Sequence, residues 1–137
     1  MLTKTRKTML TALAALICIA MMAATAYAGN SFTGYNTVVG KINGNGYSPT
    51  QTKATSGANG RVKSTSVGGG YTVDVRMQKS DATASGAWYR NLGSGTDTGY
   101  TVGGHVNQMY GDTVRLHFSN DLTTLVDVQV IGEWMSQ

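Results

Sequence analysis

The chain has 137 residues, with eleven Lys and Arg against seven Asp and Glu, and a formal net charge of +4. That length suits one domain with a core of its own. A single cysteine, Cys18, excludes an internal disulfide framework, and one proline beside 18 glycines excludes a proline-rich linker.

The amino end has three parts: a basic start with Lys4, Arg6 and Lys7, an apolar run from about Met9 to Ala24, and Ala26-Tyr27-Ala28 before Gly29. This is the pattern of a secretory signal peptide cleaved after Ala28, so the product is expected to be secreted and extracellular. The run is shorter than the roughly 20 residues of a stable bilayer-spanning helix, so no membrane span is expected after cleavage. Bulky Ile17 directly before Cys18 departs from a lipoprotein signal, and Cys18 reads as part of the leader. The mature chain, 29–137, is then one cysteine-free domain of 109 residues whose core alone must hold it. Three basic residues leave with the leader, so eight basic residues face seven acidic ones and the net charge is +1. That near-neutrality removes the case for nucleic acid as a partner.

In chain order, Phe32 to Ile42 is a first strand candidate. Residues 43–60 follow as a loop-rich segment, from Asn43-Gly44-Asn45-Gly46 to Gly57-Ala58-Asn59-Gly60, with little apolar content. Arg61 to Val67 is a second candidate. The clearest strand runs from Tyr71 to Gln78, where Tyr71, Val73, Val75 and Met77 alternate with Thr72, Asp74, Arg76 and Gln78. Ala87 to Leu92 and Tyr100 to Tyr110, the latter divided by Gly103-Gly104, are further candidates. Val114, Leu116 and Phe118 repeat the alternation against Thr113, Arg115 and His117, which places His117 on the solvated face. The last run, Leu125 to Trp134, reads as a strand near the middle of a sheet. Seven or eight short strands, bounded by turn signals such as Gly68-Gly69-Gly70, with no amphipathic helix in the mature chain, predict an all-β fold. The expected architecture is a small antiparallel β-sandwich of jelly-roll type.

No catalytic constellation emerges, and the expectation is a protein that is not an enzyme. Asp97-Thr98-Gly99 matches the aspartic-protease tripeptide, but Gly93-Ser94-Gly95-Thr96 leads into it, and it reads as a glycine-rich turn. His105 and His117 have no partner at metal-ligand spacing, so no metal site is predicted. No G-x-S-x-G elbow, P-loop or dinucleotide fingerprint is present, and no cofactor is expected. Candidate binding residues are aromatic or lie beside aromatics. Trp88 and Tyr89 point to opposite faces of a strand, with Arg90 adjacent, so an exposed ring and a guanidinium could meet a sugar or peptide. His105, between Tyr100 and Tyr110 and after Gly103-Gly104, sits where a loop mouth is expected.

Thr113-Val114-Arg115-Leu116, Asn120 and the ending Val130-Ile131-Gly132-Glu133-Trp134 resemble the small exported proteins of unassigned function found in Gram-positive bacteria. The resemblance covers the C-terminal third. Some proteins of that type are encoded near bacteriocin-like peptides and their transporters, which implies an antimicrobial or cell-envelope role and carries over no catalytic residue. The functional expectation is a secreted binding protein meeting a cell-envelope glycan, a protein partner or another copy of itself. A bacteriocin-like antimicrobial protein and an extracellular fibre subunit, self-associating through sheet edges, are the alternatives.

Overall fold

A computed structural model describes residues 28–137; the leader's apolar run and Cys18 lie outside the described residues. Eight strands follow in order: β1 (Thr33–Val39), β2 (Asn45–Tyr47), β3 (Gln51–Thr52), β4 (Arg61–Val67), β5 (Val73–Lys79), β6 (Tyr89–Leu92), β7 (Thr113–Ser119) and β8 (Val128–Met135). They form two antiparallel sheets. One has three strands in the order β1-β8-β4; the other has five, in the order β2-β7-β5-β6 with β3 also on β7. One core draws from both sheets. Val39, Val62, Val130 and Trp134 come from the first, and Val75, Met77, Leu116 and Phe118 from the second, all without exposed surface.

The alternation in the sequence accounts for the long strands. In β5 and β7 the apolar set Val73, Val75, Met77, Val114, Leu116 and Phe118 points inward, and the register pairs Val75 with Phe118 and Met77 with Leu116. The final strand is central, as its sequence predicts: β8 pairs with β1 on one side and β4 on the other. It begins later than the apolar run, because Leu125 and Val126 are exposed in the preceding loop. Its inward positions are Val128, Val130, Gly132 and Trp134. Gly132 faces Tyr35 across the ladder, and a Cβ there would stand 2.5 Å from the Tyr35 hydroxyl oxygen. The missing side chain makes room for the Tyr35 ring, which packs on Phe118 with centroids 5.1 Å apart.

Residues 43–60 are more structured than their composition predicts, since β2 and β3 both lie within them. The reason is that these strands carry few inward apolar side chains. Gly46 lies inward against the β1 backbone, where a Cβ would come within 2.7 Å of the Val38 carbonyl oxygen. Gln51 is inward too, and its amide nitrogen donates to the Ser31 and Trp134 carbonyls and to Thr33 Oγ1. Tyr100 to Tyr110 forms no strand beyond a single bridge from Val102 to Gly60. Gly104 lies so close to the Gly57 and Ala58 carbonyls that this stretch packs as a loop on the 57–60 segment. The backbone of Gly95 to Thr98 lies along the free side of β4, with bonds Ser64 N–H to Thr96 O and Thr98 N–H to Val62 O, and so covers that edge. The described residues contain no helix long and apolar enough to cross a membrane.

Candidate functional site

The outward face of the five-stranded sheet carries the densest grouping of aromatic and charged side chains. Register builds it: Tyr47 of β2 stands opposite His117 of β7, and His117 opposite Arg76 of β5. Trp88, just before β6, completes the row by lying over both. Its ring centroid is 4.4 Å from the Arg76 guanidinium carbon and 5.0 Å from the His117 ring. At the other end Tyr47 stacks on His117 at 5.0 Å, and Arg115 lies 3.9 Å from the Tyr47 centroid.

His117 is therefore not the solvated histidine that its parity predicts; it is 7% exposed, enclosed by Tyr47 and Trp88. Arg76 Nε donates to its Nδ1 at 3.1 Å, so Nε2 bears the ring proton and donates to Asn45 Oδ1 at 2.7 Å. Burial, with Arg76 and Arg115 beside it, pushes the His117 pKa down to about 4. Burial also lowers the pKa of Arg76, against the opposing pull of Tyr47. Arg115 is steadied through Nε and Nη2, both donating to Gln78 Oε1.

A half-open cleft of about 350 Å³ adjoins this row on the Ser119 side. Trp88 and Arg90 line it. So do Asn43, Asp121 and Leu122, from two loops tied together by the backbone, with Ile42 N–H donating to Thr124 O and Asn43 N–H to Asp121 O. Both Ile42 and Asn43 have positive φ, 53° and 57°, which turns the β1–β2 connection sharply enough to meet the second loop. Buried Asp74 and Asn120, with Ser119, complete the lining. Asp74 is held by Arg90 Nη1 and by the Asn91 N–H, the latter at 3.0 Å.

Of the residues predicted from sequence, Trp88 and Arg90 meet at this cleft. Tyr89 points the other way and packs partly on the core. Tyr100, His105 and Tyr110 belong to the loop beside the 57–60 segment and are not brought to it. The Tyr100 centroid is 5.6 Å from the Arg61 guanidinium, His105 Nδ1 accepts the Asn107 N–H, and Tyr110 is 76% exposed. Tyr47, Asp74, Arg76, Arg115, His117 and Ser119 escaped sequence reasoning, their shared outward parity on the strands being the available signal; Asn43, Asn120, Asp121 and Leu122 come from loops that carry no such signal. Of the proposed cleavage residues, Ala28 and Gly29 are described. The Gly29 carbonyl accepts the Gln137 N–H, and Gly29 itself is buried.

Asp97 of the D-T-G tripeptide lies in a turn. Arg61 grips it with Nε and Nη2 at 2.8 and 2.5 Å, and the Gly99 N–H donates to Oδ1. These bonds hold its carboxyl far below the usual carboxylate range. Among the described residues no group of three or more His, Cys, Asp or Glu side chains is placed to hold a metal ion. No family model, curated protein or solved structure matches the chain.

Proposed function

We propose that residues 29–137 are a secreted, non-enzymatic binding protein of β-sandwich, jelly-roll-like architecture that acts at the cell envelope or on an extracellular partner. The observation that carries this reading is the cleft on the outward sheet face, where Trp88 and Leu122 offer apolar surface among fixed hydrogen-bonding groups. Concave, preformed sites with fixed polar groups and an aromatic ring recognise small ligands or segments of larger ones, and polar groups outnumber apolar ones here, which favours a polar ligand. Export is supported by the leader pattern. The shared core of two antiparallel sheets supports the sandwich.

A second reading, a bacteriocin-like protein that perturbs a competitor's envelope, is favoured by one feature. Ile42, Leu122, Leu125 and Val126 are 45 to 71% exposed on the two joined loops beside the cleft. The test adds purified residues 29–137 to a panel of bacterial cells and follows cell-bound protein and membrane leakage together. The binding reading expects retention on cells without leakage. Leakage with growth arrest would move the second reading ahead, and neither signal would remove the cell envelope as the target and leave self-assembly or an extracellular protein partner.

A further inference from the structure

We infer that the cleft beside Trp88 takes a neutral saccharide unit, an inference that rests on the envelope-binding reading above. The first support is an orphaned acceptor. Asn120 is 3% exposed, and its Nδ2 donates to the Val39 and Gly40 carbonyls at 3.3 and 3.1 Å, which fixes the amide. Its Oδ1 is left buried without a partner in a residue that lines the cleft. Buried polar groups are nearly always satisfied, so an unmet acceptor at a cleft marks where a ligand donor belongs.

Further acceptors stand in the lining, beside donors such as the remaining N–H groups of Arg90. Among the described residues the Asp121 carboxylate makes no side-chain hydrogen bond or ion pair, and Asn43 Oδ1 has only a long contact of 3.5 Å from Ser119 Oγ. A ligand rich in hydroxyl groups, which donate and accept alike, fits that inventory. Charge narrows the class. The one cation of the lining, Arg90, is already paired with Asp74, and the Arg76 guanidinium, which makes no ion pair among the described residues and lies 4.4 Å from the Trp88 ring, offsets Asp121, so the cleft and its border carry no net charge with which to select an anion. A cation has little to gain from the Trp88 ring, which already has the Arg76 and Arg90 guanidinium carbons within 4.4 and 5.7 Å. Trp88 and exposed Leu122, the apolar members of the lining, suit the apolar face of a pyranose ring, and about 350 Å³ lies at the small end of ligand clefts.

The experiment titrates labelled residues 29–137 with glucose, galactose, mannose and N-acetylglucosamine and with their β-linked oligomers. Glucuronic acid and glucosamine serve as charged comparators. Backbone amide shifts are the readout, and the near-ultraviolet signal of buried Trp134 serves as the check that each variant is folded. Neutral saccharides should shift Asn43, Ser119 and Asn120 and bind more tightly than either comparator. Trp88→Ala should weaken them about three- to tenfold, and Asp121→Asn should narrow the preference over glucuronic acid. Charged sugars binding as well as neutral ones, or a folded Trp88→Ala protein binding unchanged, would overturn the inference. So would the absence of any saccharide shift while cells still retain the protein, an outcome that leaves the envelope reading standing; loss of cell retention as well would remove both.

Discussion

Acidification from about pH 7 to about pH 5 should cost the fold about 2 kcal/mol through His117. The ring is neutral in the folded chain because Arg76 Nε occupies its Nδ1 and Arg115, Tyr47, Trp88 and Asn45 crowd the remaining sides. Its pKa is about 4 when folded, against 6.5 for an ordinary histidine. Over that interval the unfolded chain therefore binds a proton that the folded chain refuses. The linked stability is present above pH 6.5 and is lost as pH falls toward 4, at up to about 1.4 kcal/mol per pH unit. Asp81, Asp97 and Asp112 have carboxyls lowered from 3.8, so their losses come below the usual carboxylate pKa and lie largely outside the interval. Urea unfolding of residues 29–137 at several pH values, followed by Trp134 fluorescence, gives the slope. His117→Gln should flatten it. An unchanged slope in that variant, or a wild-type loss well under 1 kcal/mol, would mean that His117 is not held neutral by its neighbours.

Other perturbations test separate parts of the structure. Lys53 is fully buried, donates to the Ala58 and Ser136 carbonyls, and has its pKa pushed down to about 8 by burial. Stability should therefore rise by about 2 kcal/mol from pH 8 to 10 as the folded lysine loses its proton first. Above pH 10 it should fall again, because burial pushes the Tyr35 hydroxyl up to about 12 and the unfolded tyrosine ionises first; a flat alkaline profile in urea melts would contradict both assignments. Gly132→Ala should destabilise by about 2 kcal/mol, since its Cβ would drive into the Lys63 carbonyl of β4 and the Tyr35 ring of β1; a thermal midpoint equal to wild type would refute that packing. Ile42→Asn should instead stabilise by about 1 kcal/mol, because a β-branched residue at φ 53° is strained and asparagine tolerates that backbone. A lowered urea midpoint for that variant would show that the exposed isoleucine contributes packing.

Side-chain alternation made the long strands legible: Val73, Val75 and Met77, or Val114, Leu116 and Phe118, leave no other face to bury. It was silent on β2 and β3, where glycine and glutamine occupy inward positions and the ladder is a backbone affair. It misled at Tyr100 to Tyr110, where spaced apolar residues coincide with a close approach of Gly104 to the 57–58 backbone that no periodicity encodes. The candidate site was legible in part for the same reason. Parity put Asp74, Arg76 and His117 on an outward face, but which of them meet depends on the register of four strands. The burial of His117 depends on two rings from β2 and the start of β6, distant in sequence. Trp88 and Arg90 were visible because they are neighbours in the chain. Their partners in the cleft, Asn43 and Leu122, come from loops whose meeting is set by backbone hydrogen bonds.

The most direct test of the binding account is to record amide shifts of labelled residues 29–137 on adding solubilised cell-envelope fragments. The account predicts changes gathered on Asn43, Trp88, Arg90, Ser119 and Asn120, lost in a folded Trp88→Ala protein. Changes centred instead on Tyr100, His105 and Tyr110, with the cleft unmoved, would contradict it.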